Sequence, residues 1–205
     1  MNKKTIIYLH GFNSASLNLN GKLLVGKQKL AVMQAFCAEH DIVFDTPNVD
    51  YRDFQNIVED LLFSWNQYLD QGRDVVFMGS SMGGFASEYL AMKTGCKAVM
   101  INPAVNPSKL LPQFIGVTEN FETGQPYEWS RVHCEQYQSY EQALADSKQA
   151  LDRTVLLDMG DELLDAEKTL AKYRSIANVA TFTGGSHSFE HMQEALPVVA
   201  RVLAV

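Results

Sequence analysis

Three polar residues of this chain stand in the order and setting that acyl-transfer chemistry requires. Gly79-Ser80-Ser81-Met82-Gly83 fits the pattern G-x-S-x-G. The run Asp74-Val75-Val76-Phe77-Met78 before it reads as a buried strand. Gly84–Met92 after it reads as a helix, with Phe85, Tyr89 and Met92 at helical spacing. Strand, tight turn and helix together lift a serine hydroxyl above a sheet, at the positive end of the following helix. The glycines have a steric task. The nucleophile of so sharp a turn sits in strained backbone, and side chains two residues either side would collide. On composition alone the pattern arises by chance in about one chain in fifteen of this length, so the flanking strand and helix give it its weight. Ser81 is the central serine, because centring on Ser80 would put the bulky Met78 and Met82 at the small positions. Ser80 is read as a structural neighbour.

A serine hydroxyl is a weak nucleophile at neutral pH. It needs a base to take its proton, and the base needs an orienting partner. On a sheet of this kind the partners follow the serine in the order acid, then histidine. Asp158-Met159-Gly160-Asp161-Glu162-Leu163-Leu164-Asp165 follows one later apolar run, and Gly184-Gly185-Ser186-His187-Ser188-Phe189 follows the next. Asp161 is assigned as the acid and His187 as the base. Asp158 reads as still within the strand and Asp165 as part of the next helix's first turn, while Glu162 stays open as an alternative acid. His191, one helical turn beyond His187, reads as a surface or supporting residue. His40 and His133 read as exposed and solvated. Two backbone N–H groups must stabilise the oxyanion that forms on the substrate. Met82 supplies one, and Phe12 in the loop His10-Gly11-Phe12-Asn13 is assigned the other. His10 is expected to brace that loop rather than transfer protons.

The elements that must position these residues alternate. Strands are expected at Thr5–Leu9, Ile42–Thr46, Val75–Met78, Ala98–Ile101, Val155–Met159 and Val179–Thr183. Helices are expected at Leu23–Glu39, Phe54–Leu69, Phe85–Lys93, Ala166–Ile176 and His191–Leu203. Ile57, Leu61, Trp65 and Leu69 mark the second helix by their four-residue repeat. Strands that are apolar throughout suit a parallel sheet covered on both faces. Strand–helix alternation therefore predicts an α/β fold, a mostly parallel sheet of about six strands flanked by helices, with ligands at the carboxyl ends of the strands. Pro103–Ala150 breaks the rhythm before the fifth strand and carries Phe114, Phe121, Tyr127, Trp129, Tyr137 and Tyr140. It reads either as a lid or binding loop or as a surface subdomain with a small core of its own. The chain, residues 1–205, is read as one domain.

Composition narrows the partners. The net charge of -7 argues against nucleic acid or an anionic membrane surface. No stretch is apolar for long enough to span a membrane. Cys37, Cys96 and Cys134 are odd in number, lack metal-ligand spacing and read as free thiols of a reducing compartment. The first expected strand follows Met1-Asn2-Lys3-Lys4 at once and leaves no room for a signal peptide, so a cytoplasmic protein is expected.

Several stretches resemble the small α/β-hydrolases of the YqiA/YcfP esterase family. They are Tyr8-Leu9-His10-Gly11-Phe12-Asn13-Ser14, Gly79–Phe85, Asn102-Pro103-Ala104-Val105-Asn106-Pro107, Glu119-Asn120 with Thr123-Gly124, Gly160–Asp165 and Gly184–Phe189. The blocks span nearly the whole chain in order, and those within the insertion are the more particular to this family. The chain departs from it at Ala15-Ser16-Leu17-Asn18, where the expected proline is missing. The resemblance implies an α/β-hydrolase fold and a cytoplasmic esterase that needs no cofactor, with Ser81, Asp161 and His187 as its triad. The expected substrate is a small-molecule acyl ester, or a thioester such as an acyl-CoA. A silent hydrolase-fold binding protein is the reading from another class.

Overall fold

The structure is a computed structural model and describes residues 2–205. Six strands form one parallel sheet: β1 (Lys3–Leu9), β2 (Val43–Asp45), β3 (Arg73–Ser80), β4 (Lys97–Ile101), β7 (Arg153–Asp158) and β8 (Asn178–Phe182). Their spatial order is β2-β1-β3-β4-β7-β8. The inner strands β1, β3, β4 and β7 are largely apolar on both faces because both faces are covered. In β1, Ile7 and Leu9 pack on one side with α2 (Phe54–Asp70) and α3 (Met82–Thr94). Ile6 and Tyr8 pack on the other with α1 (Gln28–Glu39) and α8 (Met192–Leu203). The two-residue period of a strand thus feeds two cores.

Register gathers the strand ends. Leu9 of β1 lies beside Gly79 of β3, and Ser80 beside Ile101 of β4. Asp158 of β7 lies beside Phe182 of β8. The loops that follow these residues leave the sheet along one rim. The chain reverses its direction of travel across the sheet between β1 and β3, which is where open α/β sheets place ligands.

Several element boundaries differ from the sequence expectation. α1 starts at Gln28 rather than Leu23, because Gly26 sits at φ 88° and a short bridge pairs Leu17 with Leu23 instead. α7 (Ala166–Tyr173) stops short of Ile176, which is exposed. In α2 the four-residue repeat drifts around the helix. Ile57 and Leu61 are buried, whereas Leu69 is exposed. Four steps of 100° overshoot a full turn by about 40° each time.

The insertion before β7 holds α4 (Pro107–Leu110), a 3-10 turn (Leu111–Phe114) and a hairpin of β5 (Gly116–Glu119) with β6 (Pro126–Trp129). α5 (Arg131–Glu135) and α6 (Tyr137–Asp146) follow. It has no separate small core. Leu111, Trp129, Cys134 and Tyr137 are buried in the same cluster as Phe54, Phe77 and Phe85. The backbone of the loop before α2 ties in as well. The Tyr137 hydroxyl donates to the Tyr51 carbonyl (2.7 Å), and Gln136 accepts from the Phe54 N–H (2.9 Å).

Candidate active site

Ser81 sits between β3 and α3 with φ 55° and ψ -117°. A non-glycine residue there is strained and held by its surroundings. Ser81 N–H donates to Ile101 O (3.0 Å), and its carbonyl accepts from Gly84 and Phe85 of α3 and from Ala104. A Cβ on Gly79 would run into the Gly83 carbonyl, and a Cβ on Gly83 into the Leu9 carbonyl. Both obstacles are backbone, so neither can swing aside. Ser80 is buried, and its hydroxyl pairs with that of Tyr8 (2.9 Å).

The loop after β1 lies directly against the serine. A Cβ at Gly11 would come within 3.3 Å of Ser81 Cβ. The N–H groups of Phe12 and Met82 donate to no described residue. The Phe12 ring packs on Phe114 and Trp129 of the insertion (centroids 5.1 and 4.7 Å). Asn13, at φ 55°, accepts from the Tyr127 hydroxyl and donates to Thr118 Oγ1 (3.1 Å). Its carbonyl accepts from Phe121 N–H (2.9 Å). The hairpin therefore braces the loop that carries Phe12.

His10 is buried beneath this loop. Val49 N–H donates to His10 Nε2 (3.0 Å), so the ring proton is on Nδ1 and donates to Gly11 O (2.8 Å). Burial pushes its pKa down to about 4, and the charge of Lys27 adds to the shift. The unfolded chain binds this proton near pH 6.5 and the folded chain only near pH 4. Between those values U carries more protons than N, so stability falls as pH falls through the window. The loss adds up to about 3 kcal/mol. Urea unfolding at pH 7 and pH 4.5 should show a steeper loss in wild type than in His10→Asn. Equal losses would contradict this account.

His187 follows β8, and its Nδ1 bonds to Asp161 Oδ2 at 2.8 Å. The Asp161 side chain is 2% exposed and that of His187 19%. Asp161 Oδ1 accepts from Leu163 and Leu164 N–H (2.9 and 2.8 Å), which fixes the plane of the carboxylate. Ser81 Oγ makes no hydrogen bond to a described residue. Of the three residues singled out as a triad from the sequence, His187 and Asp161 are joined by a direct side-chain bond.

Residues 5–204 match the family described as Uncharacterised protein family (UPF0227), which is the YqiA/YcfP family. The chain belongs to this family. A UPF0227 protein of Vibrio parahaemolyticus is 24% identical over 195 residues, covering 93% of this chain and 94% of the relative. Among solved structures, Est1E from Butyrivibrio proteoclasticus superposes with a TM-score of 0.73 at 15% identity, over 99% of this chain and 88% of that one. Est1E with bound ferulic acid gives 0.71 at 14% identity, over 100% and 91%. The esterase domain of a Rhodothermus marinus protein gives 0.64 at 15% identity, over 97% and 86%. These likenesses show that the UPF0227 chain has the α/β-hydrolase fold.

The other residues singled out from the sequence have distinct places. Glu162 does not pair with the His187 ring; its carboxylate accepts the His187 backbone N–H (2.9 Å). Asp165 caps the N-terminus of α7. Asp158 ends β7, is fully buried and accepts from His191 Nδ1 (2.7 Å). That bond raises the His191 pKa above its ordinary value. His191 also stacks on Phe182. His40 is exposed at the end of α1. His133 departs from expectation. It is partly buried, accepts from Ser130 N–H (3.0 Å) at the start of α5 and packs on Trp129. Sequence reasoning missed Asn102, which joins β4 to the His187 loop. Its signals were its place directly after a strand, before a proline, and its membership of a stretch that resembles the family.

Proposed function

We propose that this protein is a serine hydrolase that cleaves carboxylic esters of small molecules through an acyl-enzyme. The observation that carries the reading is the 2.8 Å His187–Asp161 bond, along the same sheet rim as a serine held at φ 55° with two unbonded N–H groups near it. Ser81 Oγ attacks the substrate carbonyl carbon as its proton passes to His187 Nε2. Asp161 keeps the other ring proton on Nδ1 and stabilises the imidazolium. The N–H groups of Phe12 and Met82 hold the oxyanion. The tetrahedral intermediate collapses, the C–O bond to the alcohol breaks, and the imidazolium returns its proton to the leaving oxygen. Water then repeats the sequence on the acyl-serine, releasing the acid and restoring the serine.

Esterases among the structural relatives support this class, and the ferulic acid bound to Est1E supports a small carboxylic acid as the acyl part. None of the described helices is long and apolar enough to cross a membrane. With three free cysteines and a net charge of -7, a cytoplasmic enzyme acting on a small molecule rather than nucleic acid is the reading adopted. Initial rates on matched oxygen and sulfur esters of butyrate test it. Preferred hydrolysis of the oxygen ester supports the proposal, preference for the sulfur ester would make it a thioesterase, and inertness towards both would favour the silent binding protein.

A further inference from the structure

His187 has far to reach. β8 is three strands from β3, a gap of about 14 Å at the usual strand spacing. The loop that carries His187 must fold back across the ends of β7 and β4 to bring its ring to Ser81. Residues 183–191 do this outside any helix or strand. Their backbone polar groups need partners from elsewhere, and side chains supply them.

Asp158 and Asn102 form the centre of that support. The buried Asp158 accepts at Oδ2 from Ser186 N–H (3.2 Å) and Glu190 N–H (2.7 Å), and at Oδ1 from the His191 ring (2.7 Å). Gly185 sits at φ 73° directly on this carboxylate, where a Cβ would run into Oδ2. Asn102 Nδ2 donates to Ser186 O (3.0 Å) and to His187 O (3.3 Å), and its Oδ1 accepts from Asp158 N–H (2.9 Å). Ser186, next to His187, is therefore held at both its N–H and its carbonyl. At the edges, Glu162 takes the His187 N–H and Lys29 donates to Ser188 O (3.0 Å).

Asn102 also reaches the other half of the site. It follows Ile101, whose carbonyl accepts the Ser81 N–H at 3.0 Å. One residue step thus separates the backbone that holds the serine from the side chain that holds the histidine. Asn102 sits at φ 40°, a conformation that asparagine tolerates better than most residues. The residue is 2% exposed, so few alternative partners are in reach.

We propose that Asn102 and Asp158 are positioning residues that set where His187 Nε2 stands relative to Ser81 Oγ. The proposal rests on the reading of His187 as the general base. Asn102 does not touch the reacting atoms; it fixes the distance across which the proton moves. A misplacement of about 1 Å at such a site costs roughly a hundredfold in rate.

Asn102→Gly tests this, because glycine accepts φ 40° and removes the whole side chain, amide included. Two readouts are needed: kcat and KM for p-nitrophenyl butyrate, and the His187 ring Nδ1–H signal by NMR, assigned with His187→Gln. The expected result is a fall in kcat of about a hundredfold with KM changed less than about threefold, and a His187 ring signal that shifts or broadens while that of His10 stays. Asn102→Asp, which keeps the acceptor for Asp158 N–H and loses both donors, carries the same test should the glycine variant not fold. Wild-type kcat together with an unchanged His187 signal would overturn the proposal. If wild type itself hydrolyses no ester, the proposed function fails, and the ring signal in the variants still decides the positioning role.

Discussion

Replacing Ser81 by alanine is expected to lower ester turnover about a million-fold, as loss of the nucleophile does in other triad enzymes. The structure allows the loss to be clean. Alanine keeps the Cβ, so the turn at φ 55° is no more strained than before, and the hydrogen bonds of residue 81 to Ile101, Gly84 and Phe85 are all backbone. No neighbouring hydroxyl can stand in, since that of Ser80 is buried against Tyr8. A thermal melt should match that of wild type. The phenolate released from p-nitrophenyl butyrate gives the rate, and turnover near the wild-type value would remove Ser81 from the mechanism.

Asp161→Asn is expected to cost about ten-thousandfold in kcat, for a reason the geometry makes specific. Asp161 uses one oxygen for the Leu163 and Leu164 N–H groups and the other for His187 Nδ1. In an asparagine the two backbone donors keep the amide oxygen, so the NH2 group is turned towards His187. It donates to Nδ1, and the ring proton moves to Nε2. The imidazole then has no lone pair facing Ser81 and cannot act as a base. Stability should change little, because every hydrogen bond keeps a donor and an acceptor. NMR of the ring nitrogens would show the exchanged tautomer. A variant that holds its kcat to within about tenfold would make Glu162 the acid to pursue.

The alternation of strands and helices was legible in the sequence because hydropathy reports burial, and the inner strands of the parallel sheet are covered on both faces. Its failures are instructive. Arg73 and Ser80 belong to β3, and Lys3 to β1, through backbone pairing that hydropathy does not see. The hairpin β5–β6 has a largely exposed surface and left no apolar run to read. Expectation had left open a separate core for the insertion. Trp129 and Tyr137 instead join the main one, a partnership with Phe54 and Phe85 that spans many residues of chain.

The site divides in the same way. Gly79-x-Ser81-x-Gly83 and the loops after β7 and β8 carry local signatures, because a tight turn constrains neighbours in sequence. The supports of those loops do not. Asn102 and Asp158 bond to backbone 84 and 28 residues away at Ser186, and Tyr127 reaches Asn13 across 114. Contacts of that kind demand one side chain and no repeat, so they leave no pattern along the chain.

Reaction with a fluorophosphonate probe, followed by intact mass and peptide mapping, tests the central claim most directly. Such a probe modifies a serine whose hydroxyl is activated and whose oxyanion site is formed, whatever ester the protein prefers. The account predicts a single adduct on the peptide that carries Ser81, prevented in Ser81→Ala and slowed in His187→Gln. An unmodified wild-type protein, or an adduct on another residue at the same rate, would contradict it.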